Sequence, residues 1–365
     1  MEPKFLKLLG KDVCFRVDSS RIIGSGHFMR CLTLANEFRM SGSSSTFFCH
    51  PFIGNIADFS AAQGHNLSYL SAMNKEISNT NSFGWLPCSE EEDAISFLDK
   101  ININSALCVV DHYSIGKTWH TIVERKMPVL AIDDLANREI GASVLLDYNF
   151  PNLAHQRYSQ VTKSNTKKLI GNQFTPFRVD VRNAHKYKIR IRKEINKILI
   201  FLGGSDLHGF LSKAIKGVLD SKFTNVEIVA VSGFSNKLDP NQKAKFSAYN
   251  NLKFIESTEN FANFMIEADL CIGAVGSTSY ERALLGLPSI CVTVAENQME
   301  IANAMQNAGV IVLLGEASKV TSQQVSHALN SLNSSEIQEW STRLCSLFKD
   351  SNGSEKVVAE IENFI

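Results

Sequence analysis

Val13-Cys-Phe-Arg-Val17-Asp18-Ser-Ser-Arg-Ile-Ile23-Gly24-Ser-Gly26-His27-Phe-Met-Arg30-Cys-Leu carries an apolar strand, a glycine loop and the start of a helix in one short stretch. Gly24 and Gly26 let the backbone turn tightly and aim N–H groups into a crevice. The loop is not a dinucleotide fingerprint, because that pattern needs a third glycine where Met29 stands. His27 falls at or near the helix start. A helix N-terminus disfavours imidazolium and favours a neutral imidazole able to accept a proton, which suits a general base. Asp18 precedes the loop and could orient one ring nitrogen. The bland alternative is a histidine that packs against or caps the turn. The glycine loop after a first strand favours the catalytic reading.

Working outward, short near-continuous apolar runs recur at 46–49, 107–110, 129–132, 144–146 and 168–170. A second series follows at 197–202, 226–231, 252–255, 269–272, 289–292 and 310–313. Such runs are strands buried on both faces of a parallel sheet. Amphipathic stretches such as 29–40 and 278–285 lie between them. This βαβ rhythm occurs twice. The expected fold is α/β, with two doubly wound, Rossmann-like domains facing across a cleft. The expected domains are 1–185, carrying the histidine loop, and 186–345, binding a nucleotide. A C-terminal helix within 346–365 would pack back toward the first domain. In this architecture ligands bind beyond the carboxyl ends of strands, so functional residues should follow strands.

Five further segments do so. Asp111-His112-Tyr113-Ser114 ends the 107–110 run. Asp111 could hydrogen-bond a sugar hydroxyl or hold His27, and Tyr113 could stack on a sugar or donate a hydrogen bond; a strand-end turn explains them equally well. The pair Asp133-Asp134 could bind a metal, but no further ligand spacing supports that, and no metal is expected. Gly203-Gly204-Ser205-Asp206 follows the first strand of the second series and would admit a ligand close to the backbone. Gly276-Ser277-Thr278 opens a helix whose free N–H groups suit a diphosphate. Thr278 and Glu281 also read as a capping box, which can coexist with an anion site. Asn297-Gln298 could bind a sugar or phosphate through their amides.

The 365 residues suffice for two domains, and 37 basic against 37 acidic residues leave no net charge. Nothing global draws the chain to nucleic acid or an anionic membrane, and the basic run 178–197 has a single aromatic, Tyr187, rather than the repeated aromatics of a nucleic-acid groove. The eight cysteines form no CxxC and several sit in apolar runs. That fits free thiols in a reducing, cytoplasmic setting. No signal peptide, membrane span, Walker motif or zinc spacing is visible. A monomer or weak oligomer is expected, with no cofactor.

These segments in this order resemble the pseudaminic acid pathway hydrolases, which act on UDP-2,4-diacetamido-2,4,6-trideoxy-β-L-altropyranose and look like the GT-B glycosyltransferases. Ile23-Gly-x-Gly-His27-x-x-Arg30 with Asp18 upstream carries the resemblance most specifically, and Asp111-His112-Tyr113 comes next. Gly203-Gly204-Ser205-Asp206, Gly276-Ser277-x-x-Tyr-Glu281 and Asn297-Gln298 are similar to the family but shared with related transferases. Thr175-Pro-Phe177-Arg178 looks like its connector. The resemblance implies hydrolysis at the anomeric carbon, inverting and metal-independent, in nonulosonic acid biosynthesis for surface polysaccharide or flagellin glycosylation. It implies that His27 activates water, that Glu281 meets the ribose, and that Gly24, Gly26, Arg30, His112 and Arg178 belong to the substrate- and nucleotide-binding set. The implied ligand partner is the small-molecule UDP-sugar. A GT-B transferase and a non-catalytic nucleotide-sugar-binding protein are the alternatives.

Overall fold

The computed structural model describes residues 7–70, 84–149, 154–204, 206, 208–233, 244, 246, 248–256 and 261–365. The chain divides into two compact units, one of residues 1–176 with 352–365 and one of residues 177–351. The break falls at Pro176/Phe177 rather than at 185/186, because the helix Val179–Lys188 packs on the helix Phe261–Glu267 of the second unit. The return segment likewise begins at 352, six residues later than the expected 346, because the helix Ser334–Leu347 packs within the second unit.

The first unit is built on parallel strands β1 (Asp12–Val17), β2 (Ser44–Cys49), β3 (Asn66–Tyr69), β4 (Ser105–Asp111), β5 (Val129–Ile132), β6 (Val144–Asp147) and β7 (Lys167–Ile170). Among the described residues their order is β3-β2-β1-β4-β5-β6-β7. The edge strand β3 was not expected. Its residues Asn66-Leu-Ser-Tyr are few, mixed and only partly buried, so they lack the apolar run of a central strand. All six residues of β1 are buried, as are all four of β5 and of β6.

The chain order reverses between β1 and β4, the switch point where such sheets open a crevice. The histidine loop follows β1, Asp111 ends β4 and His112-Tyr113 follow it, so both lie at that point. The helix Gly26–Met40 packs on β1, β2 and β4. On it rests the C-terminal helix Gly353–Phe364. The residues ahead of β1 fasten that helix: the backbone N–H of Lys7 donates to Glu362 Oε2 at 2.6 Å, and Leu8 is buried.

The second unit repeats the plan with β8 (Lys197–Phe201), β9 (Glu227–Ser232), β10 (Leu252–Glu256), β11 (Leu270–Ala274), β12 (Ser289–Thr293) and β13 (Val312–Glu316). Its order among the described residues is β10-β9-β8-β11-β12-β13, with the switch point between β8 and β11. Phe201 and Gly273 stand opposite each other, so the two glycine loops leave neighbouring strand ends. No helix among the described residues is long and apolar enough to cross a membrane.

Candidate active site

Ser20 and Gly24 close the loop after β1. The Gly24 N–H donates to the Ser20 carbonyl at 2.9 Å, and Ser20 Oγ accepts from the N–H groups of Ile22 and Ile23. Gly24 has φ +79°, the left-handed region that favours glycine. The helix then begins at Gly26, earlier than the expected 29, which puts His27 in its first turn. A side chain added at Gly24 or Gly26 would meet nothing within 4 Å, so open space lies above the loop.

His27 Nδ1 lies 2.7 Å from Asp111 Oδ1. A carboxylate only accepts, so Nδ1 carries a proton toward Asp111, and in the neutral ring the lone pair lies on Nε2. Nε2 makes no hydrogen bond among the described residues. Arg30, one helical turn on, grips both oxygens of Asp111, with Nε at 2.5 Å and Nη2 at 2.7 Å. Burial alone would raise the Asp111 pKa. The Arg30 guanidinium and His27 overcome that and hold it well below the usual carboxylate range. Asp111 is therefore charged and fixed.

The network continues through Arg30 Nη1, 3.2 Å from both Asp134 Oδ2 and the Tyr148 hydroxyl. The Tyr113 hydroxyl donates to Asp134 Oδ1 at 2.5 Å, and its ring stands edge-on to His27 at 4.5 Å. Burial and Asp134 push the Tyr113 phenol well above its ordinary value. It stays protonated and braces the imidazole. Arg30 is thus engaged with Asp111 rather than placed as a direct nucleotide ligand.

Asp18 does not orient His27. Its Oδ2 lies 2.9 Å from Arg16 and 3.3 Å from His112 Nε2, and its Oδ1 accepts from the His50 N–H at 2.7 Å. The strand pleat explains the division. Val17 is opposite Asp111 in the β1–β4 register, and Arg16 is opposite Val110. Alternation then sends Arg16, Asp18 and His112 to one face and Asp111 to the face carrying His27. His112 is accordingly 2% exposed, in a core network and not at a ligand surface. Its Nδ1 accepts from the Ser114 N–H at 3.2 Å. Burial lowers its pKa despite Asp18.

That core network centres on Asp93, which takes the Arg16 fork at 3.0 and 2.7 Å, the Trp119 indole N–H at 2.7 Å and His50 at 2.9 Å. His50, Cys88 and Asp93 each bring one ligand-type atom within 4.8 Å of the others. A cation there would face the Arg16 guanidinium, which already occupies Asp93. The Asp133-Asp134 pair splits its duties: Asp133 binds Arg138 at 2.5 Å and the Ala136 N–H at 2.8 Å, while Asp134 serves Arg30 and Tyr113.

These buried carboxylates give a sign to the acid response. Against burial, Arg16 and His112 lower the Asp18 pKa to about 2. Against burial, Arg16 and His50 hold Asp93 well below the usual range. A group depressed in the folded state stabilises it above its unfolded pKa and loses that contribution as pH falls through the folded value. These two carboxylates contribute fully above about pH 4 and lose that contribution from there toward pH 2, so thermal melts should drop most steeply across that window. A melting temperature that stays flat to pH 2 would refute this.

In the second unit Gly203 and Gly204 follow β8, while Ser205 lies outside the described residues. A Cβ on Gly233, after β9, would fall 2.2 Å from the Gly203 carbonyl, so glycine there lets the two loops touch. Asp206 caps the helix Phe210–Leu219 and is not turned to a ligand. Its oxygens accept the N–H groups of Phe210 and Leu211, each at 2.8 Å.

Gly276 precedes the helix Ser277–Leu284, and its N–H donates to Ser279 Oγ at 3.1 Å. The expected Thr278–Glu281 capping box is absent, because the helix starts one residue earlier and Glu281 turns to Arg178. That guanidinium meets Glu281 at 2.8 and 3.1 Å. Beneath the loop the buried Arg282 donates to the Ala274 carbonyl and Ser279 Oγ at 3.0 and 2.9 Å. No motif marked Arg282, which holds the glycine turn from below. Asn297 and Gln298 follow β12 in a short 3-10 turn, where Gln298 Oε1 accepts the Val294 N–H at 2.8 Å.

No family model matches the chain. It is 24% identical over 291 residues to an uncharacterized Methanocaldococcus jannaschii protein, covering 78% of this chain and 56% of that one. It is 24% identical over 311 residues to the Campylobacter jejuni UDP-2,4-diacetamido-2,4,6-trideoxy-β-L-altropyranose hydrolase, covering 81% of this chain and 97% of that one. A Helicobacter pylori protein named as pseudaminic acid cytidylyltransferase and the same hydrolase is 26% identical over 225 residues, covering 60% of this chain and 40% of its own length. Among solved structures, Acinetobacter baumannii MurG superposes with TM-score 0.60 at 15% identity, covering 97% of this chain and 99% of that one. The calicheamicin glycosyltransferase CalG4 gives 0.63 at 14%, covering 97% and 98%. These structural likenesses show the fold alone. The resemblance carried by the motifs is thus matched by sequence relatives that bear the hydrolase's name, on a GT-B-like fold of two Rossmann-like domains.

Proposed function

We propose that this chain is an enzyme acting on a UDP-sugar, and that it hydrolyses UDP-2,4-diacetamido-2,4,6-trideoxy-β-L-altropyranose to UDP and the free sugar. The observation that carries the reading is the His27–Asp111 pair, 2.7 Å apart at Nδ1, with Nε2 left to take a proton. Water attacks the anomeric carbon and passes its proton to Nε2. The C–O bond breaks and its electrons leave with UDP. A single displacement of this kind inverts the anomeric centre. The relatives' names supply the sugar.

The reading assigns the diphosphate to the free N–H groups at the start of the helix Ser277–Leu284. It requires no metal. Gly276 provides a clean test. Its φ of −170° is extended backbone that any residue adopts, and a Cβ there would meet nothing within 4 Å. Gly276→Ala should leave the melting temperature unchanged and weaken UDP binding about 10-fold, by crowding the diphosphate. Unchanged UDP affinity by calorimetry would remove the diphosphate from this loop.

The second reading is a glycosyltransferase, which the same base at His27 Nε2 could serve. An acceptor hydroxyl then replaces water. A nucleotide-sugar-binding protein without turnover is the third. Incubating the protein with the UDP-sugar, EDTA and no acceptor separates them. Release of UDP and free sugar in equal amounts is expected. Absence of UDP release would reject the hydrolase, and release only without EDTA would reject the metal-free route.

A further inference from the structure

We propose that Trp85 forms a subsite for the 2-acetamido group of the sugar, its indole N–H donating to the amide carbonyl beside an apolar wall for the amide methyl. This rests on the UDP-sugar reading above. The chain has three tryptophans. Trp119 donates to Asp93 at 2.7 Å and Trp340 to the Val310 carbonyl at 3.0 Å. Trp85 is 8% exposed, yet its Nε1 is buried with no hydrogen-bond partner among the described residues. Buried donors are almost always matched, so an unmatched one calls for a reason.

Its position supplies one. The indole stands edge-on to the His27 ring at 5.9 Å and lies 5.5 Å from the Tyr113 ring. Its backbone N–H donates to Ser114 Oγ at 3.0 Å, which ties it to the loop carrying Asp111 and Tyr113. Ile23, Phe52 and Tyr113 pack with it in a small cluster apart from the main core. With His27 at the anomeric carbon, a substituent on the adjacent ring carbon comes within reach of an indole 5.9 Å from the imidazole. An acetamido group presents a carbonyl acceptor and a methyl side by side, matching an N–H set among apolar side chains. A hydroxyl would leave the wall unfilled. A bare methyl, as at the 6-deoxy position, would leave the N–H unmatched.

The test uses the full-length chain carrying His27→Ala, so that the ligand is not consumed, with and without Trp85→Phe. Calorimetry measures the affinity for UDP, for the diacetamido donor and for its analogue with a hydroxyl at position 2. Trp85→Phe should weaken the diacetamido donor about 10-fold, the effect of one lost buried hydrogen bond, and leave the other two unchanged. Equal losses on all three, or none, would overturn the subsite. Should Trp85→Phe not fold, the His27→Ala chain decides alone: it must prefer the diacetamido donor to the 2-hydroxyl analogue about 10-fold, and equal affinities would overturn the subsite. If the unaltered chain releases no UDP, the hydrolase reading fails while these affinities still decide the subsite.

Discussion

His27→Ala is expected to lower turnover of the UDP-sugar by about 10²-fold or more while UDP still binds. Nε2 is the proposed proton acceptor, and no other described side chain is held in the same way at the β1–β4 switch point. Asp111 fixes the proton on Nδ1, and Tyr113 stands edge-on to the ring, so the lone pair has one direction. Removing the imidazole removes the proposed base and leaves the glycine loop of the second unit intact. A variant with near-normal turnover would dismiss His27 as base. A variant that also failed to bind UDP would point to a folding role instead, which a thermal melt would reveal.

Asp111→Asn is the second large effect, and it should strike turnover and stability together. An amide can offer its N–H to Nδ1, which moves the ring proton to Nε2 and removes the acceptor. In serine proteases the same exchange beside a catalytic histidine costs about 10⁴ in turnover. A loss of about 10²- to 10⁴-fold is expected here. The amide also takes away the charge that Arg30 grips with two nitrogens at 2.5 and 2.7 Å. Removing one partner of a buried ion pair costs about 3–5 kcal/mol, and since Arg30 keeps Asp134 at 3.2 Å the loss should fall at or below the lower end, read as a lower melting temperature. Asp18→Asn is the contrasting variant. It sits in the Arg16–Asp93 network on the opposite face, so it should destabilise without moving the proton on His27. Equal loss of turnover in properly folded Asp18→Asn and Asp111→Asn chains would refute the assignment.

Much of the architecture was legible because the signals are local. Continuous apolar runs mark strands buried on both faces. The paired glycines before His27 mark a turn into a helix, and the structure places that helix at Gly26–Met40. Strand β3 escaped notice because an edge strand need not be apolar throughout. Trp85 escaped because it belongs to no motif. Its significance appears only when its indole nitrogen is found unmatched beside His27. Arg178 and Glu281, 103 positions apart, carried no sign that they pair.

By itself, the sequence determined two doubly wound halves, a histidine at the head of the first helix and a glycine-led helix in the second half. Propensity and periodicity act over neighbouring residues, so these follow from the chain alone. Only the tertiary structure decided which carboxylate serves His27. Asp18 is the nearer in sequence, but side chains alternate across a strand. The register that sets Val17 opposite Asp111 puts Asp111 on the histidine's face and Asp18 on the other. The same register turned Arg30 from a ligand-binding candidate into the clamp on Asp111, because a face has no meaning until strands are paired.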